Sequence, residues 1–92
     1  MTDPIADLAR TLAAQEHAEE RLTEAAHALA EAEERAEDDP DAAAEVERCR
    51  KLYEAADAAV GFARGRRREL EAQLEPAEVA RAYRLLTGDD RG

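Results

Sequence analysis

The sequence contains no serine and no asparagine, and it has one lysine and one cysteine. The missing serine and asparagine and the single lysine read as a compositional bias, and no function is inferred from them. A lone Cys49 excludes an internal disulfide, and its place on an apolar stripe suits a small core residue in a reducing, cytoplasmic setting. No run of 18 apolar residues occurs, and no charged-then-apolar leader opens the chain, so neither a membrane span nor secretion is expected. Aromatic residues make up 3% against 45% apolar overall, with about a quarter alanine, which suits long, closely packed helices rather than a sheet. Acidic residues outnumber basic ones, 23 to 13. A net charge of −10 opposes binding to nucleic acid or to an anionic membrane and favours a neutral or basic protein surface.

The 92 residues that are present make one domain, residues 1–92, small enough that a single chain buries a modest core and gains from a partner. The strongest local signal is Asp38-Asp39-Pro40-Asp41. Proline has no backbone donor and biases the residue before it out of the α region. The stretch therefore predicts a first helix over about 4–37, a turn at 38–40 with Asp39 as N-cap, and a second helix over about 40–74. Asp3-Pro4 repeats the cap-then-proline order, and Glu75-Pro76 repeats it more weakly, opening a third helix over about 76–87 that stops at Gly88.

Helix 1 carries Ile5, Leu8, Leu12, Gln15, Glu19, Leu22, Ala26, Leu29, Glu33 and Ala36 at alternating three- and four-residue spacing. Helix 2 answers with Val46, Cys49, Tyr53, Ala56, Val60, Ala63, Arg67, Leu70 and Leu74. An antiparallel hairpin about Pro40 pairs Leu29 with Cys49, Leu8 with Leu70 and Ile5 with Leu74, leaving Glu19/Val60 and Leu12/Arg67 as polar-interrupted layers. The fold class is therefore all-α: a coiled-coil-like helical hairpin with a short C-terminal helix. A second stripe, Leu52, Ala55, Ala59 and Phe62 on helix 2, faces away from this seam. It predicts self-association of two hairpins into a four-helix bundle, with Gly61 and Gly65 permitting close approach.

Three groups of residues invite a chemical reading. Glu24-Ala25-Ala26-His27 spells Glu-x-x-His, which resembles half of the ferritin-like di-iron motif, with Glu54 at a similar level of helix 2. The resemblance covers four residues, the second Glu-x-x-His is missing, and Glu24 and His27 fall on outward heptad positions, so no metal and no cofactor is expected. His17 with Glu20 and His27 with Glu31 are accounted for as surface pairs, and two thin helices offer no concave pocket for catalysis, so the chain reads as a non-enzyme. Arg64-Gly65-Arg66-Arg67-Arg68 is the one basic run; with no aromatics interleaved, intramolecular pairing outweighs phosphate binding as its explanation.

Around the turn, Glu31, Glu33, Glu34, Glu37, Asp38, Asp39, Asp41, Glu45 and Glu47 face Arg35 alone. The order lacks the Asp-x-Asp-x-Asp-Gly of a calcium loop. In helix 3, Val79, Tyr83 and Leu86 have the anchor spacing of a short helix laid in an apolar groove, either on its own hairpin near Ile5, Leu70 and Leu74 or on a partner protein. The functional expectation is a self-associating helical-hairpin interaction module, acting as an adaptor, assembly factor or small subunit with another protein. The alternatives are an acidic inhibitor that imitates nucleic acid towards a basic protein and, further off, a carboxylate/His metal-binding bundle.

Overall fold

The computed structural model describes residues 3–88, and every regular element among them is helical. Helix α1 is Pro4–Asp38, a single 3-10 turn covers Pro40–Ala42, α2 is Ala43–Ala72 and α3 is Pro76–Thr87, with α1 and α2 forming the long helix pair. The polar tail beyond Gly88 lies outside the described residues.

Each start follows from local chemistry. The Asp3 carboxylate accepts the Ile5 backbone N–H at 3.0 Å and caps α1 just ahead of Pro4. Asp39 holds an extended backbone (φ −133°, ψ 103°) and its carboxylate accepts the Asp41 N–H at 3.0 Å. The first turn after Pro40 is 3-10, closed by the Ala42 N–H on Asp39 O, so α2 proper begins at Ala43 rather than at the proline. At α3 the cap is reciprocal to the usual one. Glu75 is a long residue for an N-cap, and it is the Glu78 carboxylate that reaches back to accept the Glu75 N–H at 3.0 Å. Gly88 closes α3 in the left-handed region (φ 77°), donating its N–H to Arg84 O, a conformation that favours glycine.

The chain divides into two compact units. In the first, built from the start of α1, the end of α2 and α3, Leu8, Leu12, Leu70 and Ala82 form a buried cluster, and Ile5, Ala9, Leu74, Val79 and Leu86 pack around it. The two leucine layers expected of the hairpin, Leu8 with Leu70 and Ile5 with Leu74, belong to this cluster, and α3 docks on it. Leu8 and Ala82 are completely buried, so the contribution of α3 to the buried cluster is a single methyl group.

The second unit, Ala18–Val60, is the hairpin around Asp39. Here α2 buries the stripe its heptads mark, with Cys49 and Val60 nearly sealed. On α1 the interface is rotated away from the heptad reading: Ala18 and Ala32 are buried, Leu22, Ala26 and Leu29 are half-buried, and Glu33 is exposed. The rotation has a physical reason. Centring the contact on alanine leaves Glu33 in solvent and Glu19 at the half-buried margin, and it lets the helices approach closely with the leucines closing the flanks.

Gly61 and Gly65 make no close approach within the chain, since a Cβ built on either meets nothing within 4 Å. Glycine inside a helix costs about 1 kcal/mol relative to alanine. Gly65→Ala is therefore expected to raise the melting temperature by roughly 4–8 °C, the shift that such a gain gives a domain of this size. A thermal melt followed by circular dichroism checks this, and an unchanged or lowered transition would contradict it.

Candidate functional site

The large exposed apolar side chains among the described residues lie on α2 and α3. Leu52 is 56% exposed and Phe62 79%, with Ala55 and Ala59 also open to solvent, while Val60 and Ala63 on the seam side of the same helix are buried. Leu52 forms the wall of a shallow cleft of about 430 Å³ with Ala44, Glu47, Arg48 and Lys51. Phe62 stands over a second, of about 410 Å³, floored by Asp7, Arg10, Thr11, Ala14, Ala63 and Arg66. Cations line both clefts: Arg48 and Lys51 in one, Arg10 and Arg66 in the other, the latter held by Asp7 and by Glu69 respectively.

The first unit also contains a polar chain that links its three helices. Arg67 Nη1 donates to Gln15 Oε1 at 3.0 Å, bridging α2 to α1. Arg67 Nε lies 3.8 Å from Glu71 Oε1, one turn along α2, and Tyr83 on α3 donates its hydroxyl to that same oxygen at 3.1 Å. Arg67 Nε is shielded from water and makes no hydrogen bond, so Glu71 reaches it by charge alone. The Leu12/Arg67 layer thus resolves as a buried leucine beside an arginine held within its own chain. Arg66 likewise pairs along α2, with Glu69 at 3.4 Å.

On α3 the face turned inward is Val79, Ala82 and Leu86, while Tyr83 stands at its margin, 42% exposed, and Leu85 is equally exposed. The sequence reading missed Leu85, because its position falls outside the spacing shared by Val79, Tyr83 and Leu86; simple hydrophobicity is the one signal that marks it. Glu24, His27 and Glu54 are all exposed, and among the described residues no three His, Cys, Asp or Glu side chains are gathered to hold a metal. Around the turn the carboxylates are exposed apart from the half-buried Glu45, whose carboxylate pairs with Arg35.

Partial burial, followed by the hydrogen bond to Glu71 and the negative charge of that carboxylate, pushes the Tyr83 hydroxyl above its ordinary value; Arg67 acts in the opposite sense. A group whose value is raised by folding stabilises the fold below its unfolded value and loses that contribution as pH rises through the folded one. The Tyr83 contribution is therefore complete at neutral pH and disappears above about pH 10. Tyr83→Phe should lower the melting temperature at neutral pH and flatten its decline on the alkaline side. Melting curves for the two proteins that stay parallel from neutral to strongly alkaline pH would count against this role of the hydroxyl.

The fold and its exposed face define a class: an all-helical chain with a long helix pair, a docked third helix and an apolar outer stripe. No protein-family model, curated protein or solved structure matches the chain.

Proposed function

We propose that this chain is a non-enzymatic helical-hairpin module that associates with itself and serves as an adaptor, assembly factor or small subunit in a larger protein complex. The observation that carries the reading is the exposure of Leu52 and Phe62 on α2, each more than half open to solvent. Fully burying a leucine or phenylalanine is worth about 1.5–3 kcal/mol, so two such side chains on one helix face supply a driving force for association. The paucity of large apolar residues available to the chain's own core points the same way. The net charge of −10 steers the outer partner towards a neutral or basic protein surface and away from nucleic acid and anionic lipid.

Light scattering at micromolar concentration should report twice the chain mass, and Leu52→Glu should return it to one. A monomer whose mass ignores Leu52→Glu would remove self-association and leave the stripe to another protein. Recovery of bound proteins from the native cell extract then identifies the outer partner.

A further inference from the structure

We propose that the second copy seats antiparallel on α2, about a two-fold axis at the level of Asp57, so that Leu52 packs against the partner's Phe62 and Ala55 against the partner's Ala59. The inference rests on the self-association proposed above and specifies its geometry. Residues 52–62 lie in one unbroken α-helix, and the stripe Leu52, Ala55, Ala59, Phe62 runs large, small, small, large at spacings of three, four and three. A two-fold interface must be complementary to itself, and this order reads the same from either end. The alanines in the middle let two helix backbones approach to about 8 Å, and the large residues about 15 Å apart along the helix close the two ends.

A parallel pairing would satisfy the same alanine spacing, so sterics alone does not choose between them. Charge does. Within α2, residues 43–56 carry three acidic and three basic side chains, whereas residues 58–72 carry two acidic and four basic, all four of them arginines. Parallel copies of α2 would set the arginine-rich end of one helix beside that of the other; antiparallel copies set it beside the charge-balanced end. The clefts agree with this choice. The partner's Phe62 enters the cleft beside Leu52, where Arg48 and Lys51 can lie over its ring, and the partner's Leu52 enters the cleft beside Phe62.

Charge complementation tests the register. Leu52→Lys and Phe62→Glu are made in separate proteins, and the mass of each, and of their equimolar mixture, is measured by light scattering beside the unsubstituted chain. Each variant alone places a charge against an apolar side chain and is expected at single-chain mass. The mixture aligns lysine with glutamate at one end and phenylalanine with leucine at the other, and is expected to recover twice that mass. Both positions face solvent, so helicity by circular dichroism should be unchanged, and Ala55→Lys with Ala59→Glu provides a second pair with the same readout. If the unsubstituted chain is dimeric but the mixture stays monomeric, the antiparallel register is overturned while self-association stands; recovery from Leu52→Lys mixed with Leu52→Glu instead would make the pairing parallel. Variants that remain dimeric alone would overturn the stripe as the interface. An unsubstituted chain at single-chain mass would overturn self-association itself.

Discussion

The constraint on which the rest depends is the reversal at Asp39 and Pro40. Proline withholds a donor that a continuing helix would need, and the Asp39 carboxylate takes the Asp41 N–H that the new helix leaves unpaired. Once the chain reverses there, the identity of facing residues follows from counting away from the turn. Arg35 and Glu45 meet across it, and Leu8 and Leu70, equally distant from Asp39 along the chain, belong to one cluster. A reversal displaced by one residue would rotate α2 by about 100° and turn its buried stripe out of the interface.

Within that constraint the chain works with small side chains. Around the turn the buried positions are alanines, Cys49 and Val60, and the buried leucines gather with α3 in the other unit. Alanine offers little apolar area, so close approach and dispersion contacts carry more of the packing there than leucine-sized burial does. Where the heptads place an arginine in the interface, the chain does not leave it unanswered: Gln15 and Glu71 hold Arg67, and Tyr83 ties Glu71 to α3. A part-buried network of this kind adds modest stability, and its value lies more in discriminating against shifted registers.

The number of helices and the starts of α1 and α3 were legible because they depend on covalent and short-range chemistry: Pro4 and Pro76 each follow an acidic residue, and Gly88 accepts a positive φ, whereas the 3-10 turn after Pro40 delays α2 to Ala43. The α2 seam was legible because its apolar residues are unambiguous. The α1 interface was not, because alanine serves equally on a packed or an open face. Only tertiary packing, which leaves Glu33 exposed and Glu19 half-buried, selects Ala18 and Ala32 as the centre. The same ambiguity hid Ala82, which takes the buried position on α3 that hydrophobic size would assign to Tyr83. At the candidate interface the exposed quartet on α2 could be read from spacing, but the clefts beside Leu52 and Phe62 could not, since they depend on the rotamers and neighbours of arginine and lysine side chains.

Cys49 occupies a position with a use beyond packing. It is the only thiol, and it is nearly sealed where α2 meets α1. A sulfhydryl reagent in solution reaches a thiol this buried chiefly when the helices part locally, so the rate of its modification tracks opening of the pair. In the limit where reclosing outpaces reaction, that rate divided by the rate for an open thiol gives the opening equilibrium at a single, chemically defined point. The molecule thus carries a native reporter of its own breathing, with no label added and no second cysteine to confuse the signal.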